Sequence, residues 1–325
     1  MKRLPFLLAP AAKDYLWGGN RMTDDFGKGI ELSPLAETWE CSTLPEGPSL
    51  VAGTGEDLRD VLSGHPDWLG THPLATMNGR PELPILIKFI DAKKKLSVQV
   101  HPDDEYAARE GQLGKTEMWY VLDAGPGAEL VCGFNRDMTP EGVRQAVEQG
   151  RIEQYLNHVP VEKNDLFFIE PGTVHAIGAG VLLAEIQEAS SLTYRLYDYD
   201  RTDRHGRKRE LHLEKVLETA NLKASAAPRQ PMRLIRYQNG SASELLSRCR
   251  YFQVERLLLN TEGRRLAGFR TGSNSFHALL CIEGCGVALG EAVSLNFFQG
   301  DCIFVPADSI PLQLHGKAQL LDVSC

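Results

Sequence analysis

The run Leu96-Ser97-Val98-Gln99-Val100-His101 decides the fold. It alternates apolar and polar residues with a period of two, the signature of a half-buried strand rather than a helix. On such a strand Ser97, Gln99 and His101 share one face, and Leu96, Val98 and Val100 share the other. A face carrying an amide and an imidazole turns into a barrel only if something there satisfies it. A metal ion and an anionic ligand would do so.

Similar short runs lie on either side. Residues 85–90, 118–122, 166–169, 181–187 and 193–197 read as strands, as do 251–259, 277–282, 286–289, 302–305 and 319–323. Many short strands with turn punctuation predict a mainly β chain, a sandwich or barrel. Helical signals are few. Thr139-Pro140-Glu141 predicts a capped helix running to about Leu156. Others are expected over 56–62, over 103–111 and from Glu210 to Ala220. Ala224-Ser225-Ala226-Ala227-Pro228 reads as a linker, dividing the chain into 1–224 and 229–325. The apolar start after Met1-Lys2-Arg3 is broken by two prolines, which favours a first strand or extended arm over a signal peptide. No stretch reaches the roughly 18 apolar residues of a membrane-spanning helix.

The two parts share an echo. Asn164-Asp165, the apolar run 166–169 and Pro171 lead to His175. Gly300-Asp301, the run 302–305 and Pro306 lead to Ile310. A duplication is expected, with the second copy lacking a metal ligand at this point.

The formal net charge of -8 argues against nucleic acid as the main partner. It leaves room for a phosphorylated small molecule in a locally basic pocket. The seven cysteines form no zinc-ribbon spacing and read as reduced thiols of a cytoplasmic protein. The basic residues between Arg201 and Arg209 read as a solvated loop. Trp17 and Trp39 read as packing residues.

Glu117 lies in Gly114-Lys115-Thr116-Glu117-Met118-Trp119-Tyr120, and His175 closes Pro171-Gly172-Thr173-Val174-His175. His101, Glu117 and His175, with Gln99 as the fourth, form a donor set that suits zinc with a position left for water or substrate. The same set tolerates iron or manganese. The other histidines read as ordinary hydrogen-bonded residues.

Gln-x-His, a later Glu and Pro-Gly-x-x-His resemble the two cupin metal motifs. Further segments narrow the resemblance to the type I mannose-6-phosphate isomerases of the short bacterial kind. They are Tyr15-Leu16-Trp17-Gly18-Gly19, Glu37-Thr38-Trp39-Glu40-Cys41-Ser42, Lys88-Phe89-Ile90-Asp91-Ala92 and Leu192-Thr193-Tyr194-Arg195-Leu196-Tyr197-Asp198-Tyr199. The resemblance covers residues 1–220 most fully. It implies two cupin (jelly-roll) barrels, a catalytic metal-binding one with helical insertions and a C-terminal one without a metal site. It implies interconversion of mannose 6-phosphate and fructose 6-phosphate, one zinc ion per chain at Gln99, His101, Glu117 and His175, and active-site places for Arg195 and Glu185. Asn164 stands where the cupin motif usually has glycine, and asparagine tolerates the positive φ this requires.

These residues suggest a chemistry. Isomerisation moves a proton between neighbouring carbons through an enediolate. Zinc and Arg195 would stabilise its charge. Glu185 is the first candidate base and zinc-bound water the second. Glu185 also has a simpler reading, as an ion-pair partner of Arg195 or a lysine. Ser97, Lys88 and Lys115 are expected to bind the phosphate. Other metal-dependent cupin enzymes, or a non-catalytic sugar-binding bicupin, are the alternatives. A monomer or weak dimer is expected.

Overall fold

A computed structural model describes residues 3–202, 206–226, 228, 233–263 and 265–325. Its strands form three antiparallel sheets. The first runs in the order Leu166–Ile169, Glu117–Ala124, Val181–Glu188, Ile85–Ala92, Glu37–Cys41, Ala11–Lys13. The second runs Tyr194–Tyr197, Val98–Val100, His175–Ile177, Glu129–Phe134, Leu156–Pro160. The third is ten-stranded, along the path Arg236–Gln238, Ser241–Arg248, Gln253–Asn260, Leu312–Ser324, His277–Gly290, Cys302–Val305, Phe6–Ala9, Leu50–Val51. Ala267–Phe269 and Val293–Phe298 branch from it.

The first sheet is the middle layer. Ile85–Ala92 and Val181–Glu188 are buried at every position, because both faces are covered. Ile90, Val121, Val181 and Leu183 face Leu130 and Ile177 of the second sheet. Ile87, Phe89, Met118, Tyr120 and Ile186 face Phe252, Val254, Leu280, Phe304 and Leu321 of the third. Each such buried side chain contributes about 1.5–3 kcal/mol. Charged residues inside these two strands therefore need partners, and Lys88 and Glu185, which pair with each other, are the ones on which the site is built.

The outer face of the second sheet, Val98, Val100, Val174, Tyr194 and Leu196, is covered by the helices Pro140–Glu148 and Leu213–Thr219. Thr139 caps the first through Gly142 N, and Pro140 opens it, as expected. It stops at Glu148, short of the expected Leu156, because Gly150 turns the chain at φ 63°. The helices expected over 56–62 and 103–111 are Leu58–Gly64 and Asp104–Ala107, the latter extended by a 3-10 turn. Thr71–Thr76 is a helix that was not expected, since Gly70 and Pro73 disguise its start. The two strands expected over 277–282 and 286–289 are one, bulged between Cys281 and Glu283.

Phe6–Ala9 pairs with Cys302–Val305, Phe6 opposite Phe304, and with Leu50–Val51. The sheets therefore cross the division expected between 1–224 and 229–325. Of the linker, Ala227 and residues 229–232 lie outside the described residues. So do Met1 and Lys2 at the start, and residues 203–205 of the basic run. Among the described residues, no helix is long and apolar enough to cross a membrane.

Candidate metal centre and active-site cavity

Two rows of side chains face each other across the interior. In the first sheet, Glu185 registers with Trp119 on one side and Lys88 on the other, and Lys88 registers with Trp39. Gln187 registers with Glu117 one pleat away. In the second sheet, Gln99 registers with His175 and with Arg195. Period-two alternation sends all of these inward from their strands.

His101, Glu117 and His175 bring one donor atom each to within 4.8 Å of one another, and each residue is 1% exposed. His175 Nε2 lies 3.2 Å from Glu117 Oε1, and His101 Nε2 lies 3.8 Å from Oε2. The Nδ1 of His175 donates to the Thr173 carbonyl, 2.8 Å away, which leaves the Nε2 lone pair facing Glu117. The amide of Gln99 reaches within 3.4 Å of that same Nε2.

A cation fits this set. Both carboxylate oxygens of Glu117 and Nε2 of His101 are buried without a hydrogen-bond partner, a costly arrangement unless a further group satisfies them. Burial drives His101 well below the ordinary imidazole range and His175 down to about 4, so both are neutral ligands. Burial, reinforced by the nearby Glu185 charge, pushes Glu117 up to about 8 when only protein groups surround it. A bound cation reverses that penalty. Cys132 registers opposite His175, but burial lifts its thiol to about 11, which makes it a poor ligand.

Above the triad lies a cavity of about 520 Å³. Gln99, Lys115, Glu185 and Lys88 line its metal end, and Ser97, Arg195 and Arg209 line it elsewhere. Lys88 Nζ lies 3.4 Å from Glu185 and 3.6 Å from Glu37, and Lys115 Nζ lies 3.6 Å from Glu117. Burial alone would raise Glu185, but the ammonium groups of Lys88 and Lys115 outweigh it and hold the carboxyl below its usual range. The ion-pair reading of Glu185 thus holds with Lys88 as partner, and it leaves the group charged inside the cavity. Arg195 Nε stands 3.4 Å from Ser97 Oγ, and its Nη1 donates to the Glu210 carbonyl at 2.9 Å.

Two readings of the sequence need correction. Trp17 and Trp39 are buried, but both also form cavity wall. Trp39 donates to Glu37 at 2.8 Å and lies under the Lys13 ammonium. Arg209 is not simply part of a solvated loop. Buried Asp198 grips it, Nε to Oδ2 at 2.8 Å, and it lines the cavity. Nothing in its local sequence separates it from its basic neighbours, and the only signal was Asp198 close behind Arg195.

The model of the type I phosphomannose isomerase catalytic domain matches residues 6–127. A Bacillus subtilis mannose-6-phosphate isomerase is 34% identical over 322 residues, 98% of each chain. The chain belongs to the type I phosphomannose isomerase family. Another member, the mannose-6-phosphate isomerase of Streptococcus mutans, is 39% identical over 69% of this chain and 71% of its own. The crystal structure of the Bacillus subtilis mannose 6-phosphate isomerase overlays with a TM-score of 0.87 at 30% identity, covering 99% of both chains. The cupin fold expected from the motifs is thereby the fold of the family. Its catalytic-domain match takes in Gln99, His101 and Glu117, whereas His175, Glu185 and Arg195 lie beyond it.

Proposed function

We propose that this chain interconverts mannose 6-phosphate and fructose 6-phosphate with one zinc ion held by His101, Glu117, His175 and Gln99. The observation that carries the reading is the buried, partnerless donor set beneath a cation-lined cavity. Family membership supplies the substrate, which the ligands cannot name. When bound, zinc contributes a Lewis acid that polarises the sugar carbonyl and favours negative charge on its oxygens.

The chain's own groups divide the remaining work. Glu185 is the base. Lys88, 3.4 Å from its Oε1, keeps it ionised, and the carboxylate takes a proton from C2 and returns it to C1. Lys115, beside Glu117, places a positive charge where enediolate charge develops. Lys88 and Lys115 were expected to hold the phosphate. Both stand among carboxylates, where a dianion is disfavoured, so we assign the phosphate to Ser97, Arg195 and Arg209. Arg195 then anchors the substrate from the strand that adjoins Gln99. The seven unpaired cysteines support a cytoplasmic setting, and a monomer or weak dimer remains the expected state.

Metal analysis and a coupled assay test this together. About one zinc per chain is expected, with activity on mannose 6-phosphate abolished by chelation and restored by zinc. Glucose 6-phosphate and unphosphorylated mannose should react far more slowly. Full activity after rigorous metal removal would sink the zinc role, and equal rates on mannose would sink the phosphate assignment.

A further inference from the structure

Among the described residues the candidate metal ligands all precede the linker, yet the C-terminal half holds the segment that leads into Glu117. Every backbone N–H from Gly114 to Thr116 is fixed. Gly114 N donates to Asp104 Oδ1 at 3.0 Å, Lys115 N to the Pro102 carbonyl at 3.1 Å, and Thr116 N to Glu188 Oε1 at 2.7 Å. The fit has no slack, because a Cβ on Gly114 would come within 2.6 Å of Asp104 N. The second oxygen of Asp104 accepts from the Tyr251 hydroxyl at 2.7 Å. Tyr251 lies beyond the linker, next to Phe252, which is packed into the core shared by both halves. A second tie runs from Arg256 Nη1 to the Tyr120 hydroxyl at 2.8 Å, on the strand that Glu117 opens.

We propose that Tyr251 is a positioning residue: its hydroxyl fixes Asp104, Asp104 fixes the Gly114 N–H, and the Lys115 ammonium is thereby held at the metal end of the cavity. Tyr251 is not among the residues lining that cavity. A carboxylate with one oxygen on a main-chain N–H and the other on a phenol has its orientation fixed at both ends. Losing the phenol frees it to turn, and the turn at Gly114 turns with it. The C-terminal half is, on this account, a clamp on the catalytic segment. The inference rests on the role given to Lys115 above.

The test is steady-state kinetics on the zinc-loaded full chain for the parent, Tyr251→Phe, Lys115→Gln and the double variant. Phenylalanine keeps the ring and its packing. Losing one hydrogen bond of ordinary strength predicts about a fivefold fall in kcat for Tyr251→Phe, with KM and zinc content unchanged. In the Lys115→Gln background the same change should alter kcat by less than about twofold, because the group it positions is gone. A fivefold loss in both backgrounds overturns the proposal, since the hydroxyl would then act by another route. Parental kcat in Tyr251→Phe, with Lys115→Gln impaired, also overturns it. Parental kcat in Lys115→Gln removes the reading of Lys115 itself, and this inference with it.

Discussion

Residues 162–175 and 298–310 are one structural unit built twice. In the first, Asp165 Oδ2 accepts from Glu162 N at 2.9 Å, and in the second, Asp301 Oδ2 accepts from Phe298 N at 2.8 Å. Each aspartate follows a residue with positive φ, 75° at Asn164 and 96° at Gly300. Each leads into a four-residue strand and then a proline. The units part company at His175 and Ile310. Around His175 the facing strands supply Gln99, Glu117 and Glu185. Around Ile310 they supply Leu279, Phe297, Leu312 and Leu314, an apolar core. The backbone unit therefore recurs without fixing the fate of the side chain that follows it: His175 is buried, whereas Ile310 is half-buried against the apolar core. The strands opposite decide that.

His175→Ala should remove most bound zinc and lower kcat by about a thousandfold or more, some 4 kcal/mol of barrier. Ile310→His, read by metal analysis, should leave zinc at about one per chain, because no second set of ligands surrounds it. Its cost is stability, about 1 kcal/mol for an imidazole replacing a half-buried isoleucine at the edge of an apolar core, measured by urea unfolding. A second zinc ion would show that the unit itself specifies the metal.

The two turns differ more quietly. Gly300→Ala should cost about 2 kcal/mol, through its positive φ and a Cβ placed 3.1 Å from Phe26. Asn164→Gly relaxes the backbone, yet it should still cost about 1 kcal/mol. The Asn164 side chain accepts from the Tyr120 hydroxyl at 2.9 Å, a bond glycine cannot replace. Equal or raised stability in Asn164→Gly would reduce that residue to a tolerated substitute.

The histidines give the smallest contrast. His101 and His175 are driven neutral by burial. For His277 burial also favours the neutral form, but the Asp322 carboxylate 2.6 Å away outweighs it and raises the imidazole above its ordinary value. A raised folded value means stability that is complete below the unfolded value near 6.5 and is lost as pH climbs through the folded one. Asp322→Asn should therefore cost about 1 kcal/mol near pH 6 and less at alkaline pH, checked by melting at both. A penalty independent of pH would place the interaction in packing instead.

Much of this was legible beforehand, for identifiable reasons. Strand alternation marked the Gln99 and His101 face, and the echo of Asn164–His175 in Gly300–Ile310 marked a recurring turn and strand. The metal triad followed because its residues sit at strand ends within ordered motifs. Arg209 was hidden because a basic loop looks the same whether one member turns inward or none does. The cavity faces of Trp17 and Trp39 were hidden because burial and wall duty draw on the same residue type. The helix Pro140–Glu148 was read too long because Gly150, which stops it, was weighed less than the apolar stripe. Lys88 and Lys115 are both buried; the carboxylates beside Lys88, Glu37 and Glu185, come from strands that only tertiary pairing adds, whereas Glu117 lies two residues from Lys115 in the same segment.

The pairing of Phe6–Ala9 with Cys302–Val305 was also invisible locally, since it spans about 300 residues. It has a consequence for biosynthesis. On the ribosome, Phe6–Ala9 must wait for one of its two partners until about 300 further residues have been translated. Residues 99–175, with the candidate metal ligands, can come together in the meantime, but the third sheet cannot close until Cys302–Val305 has emerged. A nascent chain stalled before residue 302 would have Leu50–Val51 on one side of this strand and leave the other edge, which later meets Cys302–Val305, unpaired. Chaperone capture should therefore centre on that first strand until the last one arrives.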